Sequence, residues 1–189
     1  SLNFWRSALK RFADKIESQT FGAVVFDYDG TLCDDRHRFT GVTSEFAAVL
    51  RNLIESGVVV GIATGRGKSV RSDVQSKLPA ELWSSVFIGY YNCSQISTAD
   101  DNDAPDSTDA VCVALEPAAR QLRADETLQK IADLTFRKRQ ITIEPKSALQ
   151  AAAVWAAAQQ IISADDSCSV KRLRSSHSFD VVTCDVSKN

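Results

Sequence analysis

An α/β protein, with a doubly wound parallel sheet and a second, smaller α/β module, is what this sequence predicts. Three observations point there. Short β-branched runs alternate with amphipathic stretches of helical length between Ala23 and Tyr91, and strand-helix-strand-helix-strand is the order of a parallel sheet. The first two runs deliver Asp27 and Thr64 just past their ends, at the carboxyl ends of the strands, where open sheets bind ligands. Beyond Asn92 the texture changes to "STADDNDAPDSTD", Ser97 to Asp109, an acidic, turn-rich stretch that marks a boundary.

Each element has its own signal. Leu2, Trp5, Leu9, Phe12 and Ile16 recur at helical spacing, with Arg6, Lys10, Arg11, Asp14 and Lys15 on the other faces. Residues 1–20 therefore read as an amphipathic helix that packs against its own domain, with docking on a partner as the alternative. Ala23 to Phe26 is a continuous apolar strand of the kind covered on both faces in parallel sheets. Ser44 to Ser56 reads as a helix, with Phe46, Val49, Leu50, Leu53 and Ile54 on one face and Gly57 as its stop. Val58 to Thr64 forms the second strand, Lys68 to Leu78 a polar helix halted by Pro79, and Val86 to Tyr91 the third strand. The acidic stretch that follows lacks the spacing and terminal glutamate of a calcium loop, so it reads as a solvated loop. The second module reads as a strand at Val111 to Leu115, a helix at Pro117 to Leu134 and a strand at Arg139 to Glu144. An alanine-rich helix at Ser147 to Ile162 follows, then strands at Ser169 to Arg174 and Phe179 to Val186.

Composition narrows the function classes. The 189 residues are 44% apolar and 24% charged, enough for one globular domain or a core with a modest insert. A net charge of -2 gives no general electrostatic pull toward nucleic acid or an acidic membrane. The five cysteines are scattered without a C-x-x-C pair, which argues for reduced thiols rather than disulfides or zinc. No apolar stretch nears the roughly 20 residues needed to cross a bilayer, and no signal-peptide pattern opens the chain, so the expected location is the cytoplasm.

The chemistry begins in "FDYDGTL". A buried strand ending in two carboxylates needs compensating charge, and magnesium supplies it while keeping water and phosphate as its other ligands. "GRGKS", Gly65 to Ser69, is not a nucleotide P-loop, because Ile62 stands where that pattern needs its first glycine.

"DYDGTL" together with "IATGR" resembles motifs I and II of the haloacid dehalogenase-like superfamily, and the remainder resembles subfamily IIB, which includes the sucrose-phosphate phosphatases. The resemblance implies a doubly wound parallel Rossmannoid core, incomplete here, with an inserted α/β cap. Residues 1–20 would be the leading helix, 21–93 the core, 94–186 the cap and 187–189 the return to the core. It implies Asp27 as nucleophile and Asp29 as general acid and base, with both at the magnesium site. An aspartate at the second position points to phosphoryl transfer rather than dehalogenation. Gly30 would permit the turn that aims amides at phosphate, and Thr31 would brace Asp29. Thr64 and Gly65 would hold the phosphoryl oxygens, and Lys188, in the "VSK" that resembles motif III, would neutralise charge there. "GYYNCSQI" resembles the passage into the cap, with Cys93 where glycine is usual. Ser176 and His177 are read either as substrate contacts from the cap or as a plain surface turn.

The implied activity is magnesium-dependent hydrolysis of a small phosphorylated metabolite, with a sugar phosphate as the expected class, through an aspartyl phosphate. A phosphomutase and a catalytically idle binding or regulatory domain are the alternatives. The sequence stops at Asn189, where the resemblance implies that a fourth, acidic motif would follow. The expectation is thus a core cut after its third motif, self-association through an exposed edge, weak magnesium binding and slow or absent turnover.

Overall fold

The computed structural model describes residues 2–34, 41–105, 110–163, 170–175 and 177–184. Two four-stranded sheets organise it. In the first, β1 (Ala23–Asp27), β2 (Val59–Ala63), β3 (Val86–Gly89) and β4 (Gln95–Thr98) lie in sequence order. The first three strands are parallel, and β4 runs antiparallel to β3.

Crossovers in a parallel sheet share one hand. Because the strands follow one another in sequence order, α2 (Ser44–Glu55) and α3 (Lys68–Lys77) fall on the same side. There Ala47, Leu50 and Ile54 of α2 and Val70 and Val74 of α3 share one core with Val60, Ile62, Val86 and Ile88. Burying each such aliphatic side chain is worth about 1.5–3 kcal/mol. Thr43 caps α2, its side chain accepting from the Phe46 N–H. Phe46 and Val49, expected on the buried face, remain largely exposed.

The opposite face of the same sheet is open. Val25 is 69% exposed, and Val59, Phe87 and Ile96 also meet solvent. The cover on both sides that the apolar strands suggest is absent among the described residues. Helix α1 (Leu2–Glu17) forms as expected, yet none of its residues is buried, and Trp5 is 70% exposed. The expectation that it packs on its own domain is corrected. An apolar stripe shows that a helix can bury a face, not that its own chain provides the surface.

The second sheet, in the order β5 (Ala132–Arg137), β6 (Gln140–Pro145), β8 (Phe179–Thr183), β7 (Val170–Arg174), is antiparallel throughout. Period-two alternation splits its residues cleanly. Ile141, Ile143, Phe179 and Val181 point into a core with Leu122 of α5 (Glu116–Ala124), Leu128 of α6 (Glu126–Ile131), and Val154 and Ala158 of α7 (Ala151–Ser163). Thr135, Gln140, Thr142 and Asp180 take the alternate positions.

Four further expectations are revised. Gln95–Thr98 pairs with β3, so the core sheet extends past residue 93, where the sequence drew its boundary. Val113–Leu115 is a 3-10 turn, not a strand. The single helix expected over 117–134 is two helices and a strand. Asp125 leaves helical backbone at φ -87 and ψ 89 and its carboxylate caps α6 through the Leu128 N–H at 2.8 Å. The next residues alternate as a strand, with Leu134 and Phe136 opposite Ile143 and Ile141. The alanine-rich helix opens with a 3-10 turn at Ala148–Gln150 before α7.

Candidate active site

The residues after β1 form a tight turn in which alternate side chains take opposite tasks. The Tyr28 carbonyl accepts from the Leu32 and Cys33 N–H groups at 3.0 and 2.9 Å, and the Gly30 N–H donates to the Cys33 carbonyl at 2.8 Å. Gly30 has φ 78, a backbone state that a side chain would strain. Tyr28 points inward and is fully buried, its hydroxyl donating to Asp73 Oδ2 of α3 at 2.7 Å. Burial, joined by the Asp73 carboxylate, pushes the Tyr28 phenol up, so it remains a donor. Asp27 and Asp29 flank this anchor and are not buried. The strand that ends in two carboxylates thus fixes the residue between them.

The parallel register brings the second motif alongside. Asp27 pairs with Ala63, and the Tyr28 N–H donates to the Ala63 carbonyl at 3.2 Å. Thr64, the next residue, is fully buried, and its Oγ accepts from the Arg66 N–H at 3.0 Å. Its N–H donates to the Gly89 carbonyl, and its carbonyl accepts from the Asn92 N–H at 2.8 Å. The Arg66 guanidinium reaches back to Asp29, Nη2 to Oδ1 at 2.5 Å, and lies over the Tyr28 ring. With the two side chains only 14% and 35% exposed, this charge-assisted pair is partly shielded from water.

Across from these groups stands the open face of the second sheet. A cavity of about 480 Å³ separates the two, with Asp29, Gly65 and Arg66 on one side and Gln140, Thr142, Glu144 and Asp180 on the other. Its floor is continuous. The buried Asn92 side chain donates Nδ2 to Gln140 Oε1 at 2.9 Å, and Gln140 Nε2 donates to Thr142 Oγ at 2.9 Å and to Asp180 Oδ1 at 3.2 Å. Burial pushes the Asp180 carboxyl up, Glu144 adds to the rise, and hydrogen bonds from Thr142, Gln140 and Ser178 oppose it.

The passage between sheets is strained. Tyr91, Asn92 and Cys93, within the short turn α4 (Tyr90–Cys93), all have positive φ, at 50, 58 and 65. Three consecutive non-glycine residues in the left-handed region persist only where the surroundings hold them. The Asn92 bonds do so, as does the Tyr91 ring, which packs where a Cβ on Gly67 would otherwise lie.

Asp27, Asp29, Thr64 and Gly65 are therefore brought together at neighbouring strand ends, as their motifs suggest. His177 lines the same cavity, its N–H donating to Ser175 Oγ at 3.2 Å. Lys188 and Ser176 lie outside the described residues. Sequence reasoning missed Arg66, although it stands inside "IATGR", and it missed Asn92, Gln140, Thr142 and Asp180. Arg66 carried a signal, a cation inside the second motif. The cap residues carried none, because the bonds that join Gln140 to Asn92 and to Asp180 span residues distant in sequence.

The donor chemistry suits magnesium. Two hard carboxylates share one turn, and magnesium is content with few protein ligands. No group of three or more acidic, histidine or cysteine side chains that could hold a metal ion occurs among the described residues.

Residues 24–108, the stretch that holds both motifs, match the family model described as haloacid dehalogenase-like hydrolase. Over nearly its whole length the fold is similar to that of the HAD subclass IIB sugar phosphatase BT4131, at 16% identity and TM-score 0.54, covering 89% of this chain and 72% of that one. It is also similar to a trehalose-6-phosphate phosphatase related protein, at 13% identity and TM-score 0.52, covering 88% and 69% respectively. None of the curated proteins matches the chain in sequence. No helix among the described residues is long and apolar enough to cross a membrane.

Proposed function

We propose that the protein is a magnesium-dependent phosphatase acting on a small phosphorylated metabolite, with a sugar phosphate as the substrate class. The observation that supports this reading is the parallel register of β1 and β2, in which Asp27 pairs with Ala63, the residue before Thr64, while Asp29 and Gly65 line the cleft below the cap sheet. An Asp27 carboxylate oxygen attacks phosphorus, and the bond from phosphorus to the ester oxygen breaks. Asp29 gives its proton to the departing oxygen, then takes one from the water that attacks the aspartyl phosphate. That second attack breaks the bond from phosphorus to Asp27 and releases inorganic phosphate. Thr64 and Gly65 hold the phosphoryl oxygens, with Lys188 as the neutralising cation. Asp27 and Asp29 would hold magnesium, which when bound supplies positive charge against the transferring group. Hydroxyl, amide and carboxylate groups on β6 and β8 suit a polyhydroxylated leaving group, and the cleft between cap and core limits water around the reacting atoms.

The test is acid trapping of phosphate on Asp27 during magnesium-dependent turnover of a sugar-phosphate panel. Label on the Asp27 peptide, lost together with hydrolysis in Asp27→Asn, is expected. Hydrolysis that survives Asp27→Asn overturns the reading. The reading extends to self-association, because β1 is an edge strand of the core sheet. A purely monomeric sedimentation profile overturns that part alone.

A further inference from the structure

A second cavity, of about 350 Å³, lies beside the strained turn and takes no part in the chemistry above. Its walls are Tyr91, Ser94 and Gln95 from the core side and Arg137, Lys138 and Arg139 from the tip of the β5–β6 hairpin. Three successive cations meet two neutral hydrogen-bonding side chains and a phenol, and among the described residues no acidic side chain joins the walls. The hairpin tip is fixed rather than loose. The Lys138 carbonyl accepts from the Cys112 N–H at 2.8 Å and the Arg139 carbonyl from the Thr183 N–H at 3.3 Å. With the backbone held this way, the hairpin itself needs little reordering to meet a ligand, which favours binding.

Two of the six walls are shared. Arg137 and Tyr91 also line the cleft over Asp29, and the guanidinium lies 4.8 Å from the Tyr91 ring centroid. A charge entering the second cavity therefore acts on a side chain that belongs to the first.

We propose that this cavity is a second anion site, for a small ligand carrying a phosphate group, seated between core and cap. Guanidinium groups match the paired oxygens of phosphate, and an ammonium adds a point charge. Ser94 and Gln95 supply neutral hydrogen bonds from the core side. Because its walls come from both sheets, an occupant ties the hairpin to the residues following β3. The inference goes beyond the phosphatase reading and does not depend on it.

The experiment is a titration of the protein with inorganic phosphate, followed by amide resonances in a ¹⁵N–¹H correlation spectrum and matched at every point to sodium chloride of equal ionic strength. The Ser94 and Gln95 amides should shift saturably with phosphate and not with chloride, which only screens charge. In Lys138→Ala/Arg139→Ala the affinity read at those two amides should fall about tenfold or more. Lys138→Gln, a single change at an exposed position, gives a milder loss in the same direction if the double variant does not fold. The Gly65 and Arg66 amides serve as a separate report, because they follow the proposed catalytic site. Their shifts should survive the hairpin substitutions, and their failure to move would count against the phosphatase reading alone. Equal shifts of Ser94 and Gln95 in chloride, or unchanged phosphate affinity in folded hairpin variants, overturn the second site.

Discussion

The core sheet and the cap sheet are built alike and finished differently. Each has four strands, and each is sealed by helices on one face. The other face of the cap sheet carries Thr135, Gln140, Thr142 and Asp180, the last three tied together by hydrogen bonds and all four turned to the cleft. The corresponding face of the core sheet carries Val25, Val59, Phe87 and Ile96, turned to solvent. A polar open face satisfies itself and offers a ligand its donors and acceptors, whereas an apolar one gains only by being covered. The difference teaches that a sheet's open side declares its use through side-chain chemistry rather than architecture.

The sealed faces should be equally firm, and this gives the largest expected effects. Leu50→Ala in α2 and Ile143→Ala in β6 should each cost about 2–5 kcal/mol in urea unfolding. A cost below 1 kcal/mol at either position would show that one covered face is loosely packed. Next comes the junction of the two sheets. Gln140→Leu leaves the buried Asn92 amide without its 2.9 Å partner and should cost about 1–3 kcal/mol. An unchanged midpoint would separate the two sheets energetically.

The polar face should also respond to pH. The Asp180 carboxyl is raised in the folded protein, so the folded state holds a proton that the unfolded chain loses near its ordinary pKa of about 3.9. The stability this contributes is complete below that value and is lost as pH rises through the folded pKa. Asp180→Asn should gain on the wild type between pH 4 and pH 7, read as diverging urea midpoints, and parallel midpoints would refute this. The smallest effects belong to the unsealed surfaces. Trp5→Ser, Leu9→Ser and Val25→Thr remove apolar groups that touch water already, so stability should stay within about 0.5 kcal/mol. A larger loss would reveal that α1 or the open sheet face is covered in solution.

What could be read from the sequence followed from periodicity and local spacing. The strands that deliver Asp27 and Thr64 were plain, because unbroken β-branched runs have few alternatives. The pairing of Arg66 with Asp29 was not, since nothing in either motif states that one reaches the other. β4 was hidden because Gln95–Thr98 is short and runs into acidic turn residues. β5 was hidden because Leu128, Ile131, Leu134 and Phe136 also fit a helical stripe, and only the hairpin with β6 decides for alternation. Half of the cap's wall followed the same rule. Gln140, Thr142 and Asp180 look like ordinary polar positions of amphipathic strands until Asn92 is laid against them.

Strand order also sets a timetable for synthesis. The core strands pair in the order in which they leave the ribosome, so that sheet is complete once Thr98 has emerged. The cap sheet has no such freedom. β8 lies between β6 and β7 and is the only partner of β7 among the described strands, so Val170–Arg174 waits for it, and one edge of β6 stays bare, until Phe179–Thr183 has been made. From the completion of β6 until β8 has been made, the nascent chain therefore carries a finished core sheet and a half-built cap.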